Sequence, residues 1–272
     1  MSTILQSEKL SKYYKIGTNN LKKVLNEVDL QVERGEFVTI MGPSGSGKST
    51  LLYNISGMDR MSSGRVYFNE KELSGLSEKS LSDLRLNEMG FIFQQIHLLK
   101  NLSLKDNIIL SGYLSGRRHR KDVNKKAQFL MEMTGIESLA HNDITQASGG
   151  QLQRVGICRA LINDPEIIFG DEPTGALDSK SSSEIMQLLR TINKSGTTVL
   201  LVTHDSKVAS QSDRVLYMED GQIVTEITLG RFSGNKKEAL ERESRLSEWL
   251  LKSDDHVKDA AIAPLLTESV YN

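Results

Sequence analysis

Cysteine occurs once in the 272 residues, at Cys158. That excludes a disulfide framework within the chain and a cysteine-based zinc site. No apolar stretch nears the roughly 18 residues needed to cross a bilayer. The runs Phe37-Val38-Thr39-Ile40-Met41 and Val199-Leu200-Leu201-Val202 are strand-sized, so any membrane role has to come through a partner. The start, Met1-Ser2-Thr3-Ile4-Leu5-Gln6, has no basic opening, apolar run or small-residue cleavage site, and a cytosolic setting is expected. Neither sign of charge dominates: 34 basic side chains stand against 35 acidic ones, which removes the polycation signature of a sequence-independent nucleic-acid binder. What is present is ordinary globular usage, 38% hydrophobic and 25% charged, enough for one elaborated domain with a real core.

Period-two alternation from Val24 to Val32 predicts a strand, and Phe37 to Met41 predicts another. The second runs straight into Gly42-Pro43-Ser44-Gly45-Ser46-Gly47-Lys48-Ser49-Thr50 and then the helical pattern Leu51 to Ile55. From Leu98 to Gly135 helical spacing takes over, and strand character returns at Ile167-Ile168-Phe169 and at Thr197 to Val202, on either side of the helical run Ser183 to Asn193. This alternation predicts an α/β fold with a parallel sheet. Asp220-Gly221 marks a hairpin turn between Val215 and Val224. A charged helix is expected over Lys236 to Lys252, followed by an ill-defined tail.

Gly42 to Ser49 fits the phosphate-loop pattern G-x-x-x-x-G-K-[ST] (Walker A). Gly42, Gly45 and Gly47 let backbone N–H groups converge on phosphates, and the following helix start adds partial positive charge. Lys48 supplies a full charge near the β and γ phosphates, and the Ser49 hydroxyl is placed to ligate magnesium. The strand Ile167 to Phe169 leads through Gly170 to two carboxylates. Adjacent strand residues point to opposite sides, so Asp171 is suited to hold magnesium through a water while Glu172 accepts the proton of an attacking water.

These residues, with Ser148-Gly149-Gly150-Gln151 and Gln153-Arg154, resemble the nucleotide-binding subunits of ABC transporters from Leu10 to about Val224. The resemblance implies a phosphate-loop NTPase core with an antiparallel β layer and an α-helical subdomain over about 96–160, all within 1–228, and a charged helical extension over 229–272. It implies ATP and Mg2+ as ligands, and two copies in a head-to-tail sandwich. Ser148, Gly149, Gly150 and Gln151 match the segment that binds the ATP held by the opposite protomer, although Ala147 departs from the usual leucine. Asp178 matches the aspartate that contacts that protomer. Tyr14 matches the aromatic residue stacking on adenine, with Tyr13 one position away. Gln94 matches the glutamine that senses magnesium and the γ phosphate, and His204 the switch histidine. Ser44, Gly45 and Thr50 belong to the phosphate cradle. An integral membrane permease is the implied partner, placing the chain at the cytoplasmic face of the membrane without direct nucleic-acid contact. Residues 94–102, apolar at Ile96, Leu98 and Leu99, are expected to border the groove that receives the permease.

Met41 to Leu52, Gly90-Phe91-Ile92-Phe93-Gln94 and Asp171 to Ser179 are similar to the macrolide-export, lipoprotein-release and antimicrobial-peptide-resistance branch. Peptide-antibiotic resistance or export is the favoured role there, with lipoprotein release and cell-division signalling as alternatives. A soluble ABC-type ATPase acting on DNA or ribosomes would need coiled coils, zinc modules or a second cassette, and a dead scaffold is opposed by Lys48, Asp171, Glu172 and His204. The basic run Arg117 to Lys121 reads as a solvated helix start. Ala239, Leu246, Trp249 and Leu250 share one helical face, which packs either on a partner or back on its own domain.

Overall fold

The computed structural model describes residues 2–17 and 20–267, with side chains through Lys252. Along the chain lie β1 (Thr3–Ile16), β2 (Asn20–Glu33), β3 (Phe37–Met41), α1 (Lys48–Ile55), β4 (Ser63–Phe68), β5 (Lys71–Glu72), α2 (Glu78–Glu88) and β6 (Met89–Phe93). Then follow α3 (Leu104–Ser115), α4 (Arg120–Thr134), α5 (Gly149–Leu161), β7 (Ile167–Asp171), α6 (Ser179–Lys194), β8 (Thr198–Val202), α7 (Ser206–Ala209), β9 (Arg214–Glu219), β10 (Gln222–Thr228) and α8 (Lys236–Thr267).

Six strands form one sheet in the order β10-β9-β3-β8-β7-β6, parallel except for β10. A second, antiparallel sheet has the order β2-β1-β4-β5. Every residue of β3 and β8 is buried, because both faces of the parallel sheet are covered. Alternation divides their side chains between two cores. Val38, Ile40, Ile167, Phe169, Leu200 and Val202 pack with α1 and the antiparallel sheet. Phe37, Ile168, Val199 and Leu201 pack with α3 to α6 on the opposite face. In the parallel register Phe93 lies opposite Asp171, Asp171 opposite Val202, and Val202 opposite Ile40. The loops after β3, β6, β7 and β8 therefore open at one level of one sheet edge.

The β9–β10 turn has Asp220 and Gly221 both at positive φ, 45° and 80°, the mirror-image turn that suits strand twist. Of the expected basic run, Arg118 pairs with Asp164, which Lys126 of α4 also meets, and α4 begins only at Arg120. Leu98 packs partly on the helical-side core while Leu99 is exposed. Arg159 donates to the carbonyls of Ile96 and His97, at 2.6 and 2.9 Å, holding the chain that leaves β6.

Helix α8 runs to Thr267, through Pro264, and so replaces the tail expected after Lys252; residues 268–272 of that tail lie outside the described residues. It packs on its own domain: Leu246, Trp249 and Leu250 join Met41, Ala209, Val215 and Tyr217. Ala239, on the same face, is half-buried. The buried Arg242 donates to the carbonyls of Ser210 (2.7 Å), Ser212 (2.5 Å), Leu229 (3.1 Å) and Gly230 (2.9 Å), and shares Phe232 with Arg190 in cation–π contacts of 5.1 and 4.9 Å. Leu246→Ala, at a fully buried site, is expected to cost about 2–4 kcal/mol. Trp249, the single tryptophan, then reports α8 in urea titration. Its emission should shift at lower urea than the circular-dichroism transition of the sheet; coincident transitions in the variant would mean that α8 does not detach separately.

Candidate functional site

The loop between β3 and α1 wraps because its glycines allow it. At Gly42, φ is 153° and a Cβ would lie 2.0 Å from the Met218 carbonyl oxygen; Gly47, φ 102°, starts α1 under a similar constraint. Lys48 Nζ donates to the carbonyls of Gly42 and Pro43 at 2.9 and 2.7 Å. Burial lowers its pKa from the ordinary lysine value, while the charges of Glu172 and Asp171 oppose that shift. The α1 helix start and this ammonium both favour a bound anion.

Asp171 ends β7 with both carboxylate oxygens engaged. Ser49 Oγ donates to one at 2.8 Å and the Tyr53 hydroxyl to the other at 2.6 Å. Burial, followed by Asp171 itself, raises the Tyr53 phenol pKa. Glu172, the next residue, takes a left-handed φ of 48°, uncommon for a non-glycine residue. Its backbone N–H reaches the Val202 carbonyl at 2.9 Å. Its Oε2 accepts from Thr203 Oγ1 at 3.0 Å, and its Oε1 accepts from the His204 backbone N–H at 3.2 Å and lies 2.7 Å from His204 Nδ1. The two adjacent carboxylates are thus held by different neighbours.

A cavity of about 540 Å³ opens above these groups, lined by Val24, Ser44, Gly45, Gly47, Lys48, Ser49, Thr50, Glu172 and His204. Four other groups of sequence candidates stand outside that lining. Gln94 is exposed beside Gly175, where a Cβ would meet its Nε2 at 3.0 Å. Ser148 caps α5, its Oγ accepting from the Gln151 N–H at 3.4 Å while Gln151 Oε1 accepts from the Ser148 N–H at 2.8 Å; Gly149 is exposed and Gly150 half-buried. Asp178 caps α6 through the N–H groups of Lys180 and Ser181, both at 3.0 Å. Tyr14 is partly exposed, its hydroxyl donating to Asp59 Oδ2 at 2.7 Å. Burial and then Asp59 raise its phenol pKa.

Val24, Tyr53 and Thr203 escaped the sequence reading. Val24 comes from β2, which the fold folds over the loop, and Tyr53 meets a carboxylate 118 residues away. Only the helical spacing of Tyr53 four residues after Ser49 hinted that both could reach one group.

Gly42→Ala should lower stability much more than Gly45→Ala. Gly45 has φ 84° but nothing within 4 Å of a Cβ, so its substitution carries backbone strain alone, about 1–2 kcal/mol. In thermal unfolding the Gly45 variant should lose roughly 2–4 °C, and Gly42→Ala more than twice that. Equal losses would mean that the Met218 contact is relieved at no cost.

Residues 25–175 match the family model described as "ABC transporter". The chain is 39% identical over 223 residues to a lipoprotein-releasing system ATP-binding protein, LolD 1, of Chlorobium chlorochromatii, spanning 82% of this chain and 91% of that one. It is 42% identical over 229 residues to a bacitracin export ATP-binding protein, BceA, of Halalkalibacterium halodurans, spanning 84% and 89%. Against a macrolide export ATP-binding/permease protein, MacB, of Chlorobaculum tepidum it is 44% identical over 217 residues but spans only 33% of that protein's length. Among solved structures, the dimeric ATP-binding cassette MJ0796 in a post-hydrolysis state with ADP and Pi superposes with a TM-score of 0.78 at 39% identity, over 84% of this chain and 100% of that one. With a phosphate loop, paired carboxylates and a histidine gathered at one sheet edge, the chain belongs to the ABC transporter family and carries its ATP-binding cassette fold.

Proposed function

We propose that the chain binds and hydrolyses ATP as the nucleotide-binding subunit of a membrane transport complex, acting as a dimer of two copies. The observation that carries this reading is a division of labour. Lys48, Glu172 and His204 converge on one cavity, whereas the exposed start of α5, at Ser148 and Gly149, offers a second helix N-terminus to an anion with no share in that cavity. Two chains placed head to tail bring the second group over the first, as the dimeric relatives suggest.

Within such a site the loop amides and Lys48 hold the phosphates, and Ser44, Gly45, Gly47 and Thr50 complete the cradle. Glu172 accepts the proton of the attacking water, and His204, 2.7 Å from it, orients the water and the γ phosphate. The Ser49 hydroxyl beside the Asp171 carboxylate is the donor set that Mg2+ takes together with phosphate oxygens and water. Ser49, Asp171 and Gln94 are the residues that would hold it. Bound there, Mg2+ would supply positive charge against the phosphates. Asp178, at the start of α6, faces the opposite protomer in this arrangement.

The membrane partner in this reading is a permease; no helix among the described residues is long and apolar enough to cross a bilayer. Its cytoplasmic segment meets the groove bordered by Phe91, Phe93, His97 and Arg159, one step from Gln94, with exposed Leu99 nearby. The cassette then works at the cytoplasmic face of the membrane. Within the branch, the BceA-type relative favours peptide-antibiotic resistance or export; the LolD-type relative keeps lipoprotein release in view.

Glu172→Gln is expected to cut ATP turnover by about 10²- to 10⁴-fold while ATP binding persists, and to accumulate as an ATP-bound dimer in size-exclusion chromatography. Near-normal turnover would remove Glu172 from the proton transfer. In a Cys158→Ser background, cysteines at Ser44 and Ser148 should crosslink between chains in the presence of ATP; crosslinks found only within one chain would overturn the sandwich.

A further inference from the structure

His204 stands just past the end of β8 with little packing of its own. Its side chain is 71% exposed. Its polar contacts are both to Glu172, through the backbone N–H at 3.2 Å and Nδ1 at 2.7 Å. The tie to β3 ends one residue earlier, where the Thr203 N–H donates to the Ile40 carbonyl at 3.2 Å. Once Glu172 engages an attacking water, the place of His204 depends on what holds the segment that follows it.

That segment is α7, four residues long, too short to be stable as an isolated helix. Asp205 caps its start, Oδ1 accepting from the Lys207 and Val208 N–H groups at 2.7 and 3.4 Å. Its other end is gripped by α8. Arg242, 6% exposed, donates through Nε to the Ser210 carbonyl at 2.7 Å and through a terminal nitrogen to that of Ser212 at 2.5 Å. Leu246, fully buried, shares one apolar cluster with Ala209 of α7, Val215 of β9 and Met41. Met41 is the residue from which the phosphate loop departs at Gly42. A hydrogen bond between the buried hydroxyls of Thr39 and Ser212 fastens the same segment to β3. Helix α8 thus joins the strand end that launches the phosphate loop to the turn that follows His204. It does so from outside residues 25–175, the stretch that matches the family model, and neither Arg242 nor Leu246 lines the cavity.

We propose that Arg242 and Leu246 are positioning residues for ATP hydrolysis, holding α7, and through it His204, at a fixed distance from the phosphate loop. The proposal rests on reading the cavity as an ATP site. The phosphates bind the loop itself, whose shape is set by its glycines and whose charge comes from Lys48, so ATP affinity survives a loosened α8. Turnover does not survive it. His204 orients the γ phosphate and the water, and a displaced orienting group slows the chemical step without releasing the nucleotide.

The test is steady-state ATP turnover of the full chain, with ATP binding measured by calorimetry in the absence of Mg2+. Leu246→Ala and Arg242→Met should each lower kcat by about 10-fold, short of the roughly 100-fold that a displacement of about 1 Å can cause. The dissociation constant for ATP should move by less than about threefold. Leu246→Met, close in volume, should recover kcat to within about threefold of the parent; with Leu246→Ala it serves if the Arg242 variant does not fold. Leu5→Ala empties an equally buried site in β1, on the antiparallel sheet, and should leave kcat within about twofold, since it shares no partner with α8. In a His204→Ala background, Leu246→Ala should add nothing, because it acts through that side chain. Lys48→Ala separates the two readings: unaltered ATP binding in that variant sinks the ATP-site assignment itself. With binding weakened there, four results overturn the positioning role. They are an unchanged kcat in the α8 variants, a matching loss of ATP affinity, an equal loss of kcat in Leu5→Ala, and a Leu246→Ala effect that persists without His204.

Discussion

The register of four parallel strands is the constraint on which the site depends. Because Ile40, Val202, Asp171 and Phe93 lie at one level, the residues just beyond them arrive together at the sheet's carboxyl edge, where open α/β sheets take their ligands. A slip of one residue in β7 would send Asp171 and Glu172 to opposite sides of where they now stand. The double burial of β3, β8 and β7 resists such a slip, since it would exchange the residues of two differently shaped cores. Packing far from any charged group therefore sets the geometry of the chemistry.

Within that frame the two carboxylates illustrate how neighbours assign roles. Asp171 continues the strand and meets two hydroxyls on α1; Glu172 breaks from it at positive φ and meets Thr203 and His204 at the end of β8. The strained backbone at Glu172 turns its side chain toward the β8 end while Asp171 stays under the phosphate loop. Three contacts on the Glu172 carboxylate offset a cost on the order of 1–3 kcal/mol.

Much of this was legible in the residues. The phosphate loop and Asp171-Glu172 announce themselves by local spacing, His204 by the family resemblance, and the strands around them by apolar runs that a doubly covered sheet explains. Less legible were contacts made across the fold: Val24 over the loop, Tyr53 on Asp171, Thr203 on Glu172. Apart from the spacing of Tyr53 four residues after Ser49, their side chains carry no spacing signal, because each meets its partner only after distant strands have paired. For α8, an apolar stripe states that something covers it without saying what; burial of Leu246 and the Arg242 contacts supplied the answer.

Arg242 also bears on the exposed border of the sheet. β10 is its terminal strand, and an unprotected terminal strand offers its backbone to any other extended chain. The guanidinium grips carbonyls on both sides of the β9–β10 hairpin, at Ser210 and Ser212 before it and Leu229 and Gly230 after it, while α8 packs alongside. The hairpin is thereby closed at its base by a residue that comes after it in the chain. During synthesis the sheet acquires this closure only once α8 has emerged, so the hairpin's interval of vulnerability to edge-to-edge association lasts until that helix is made.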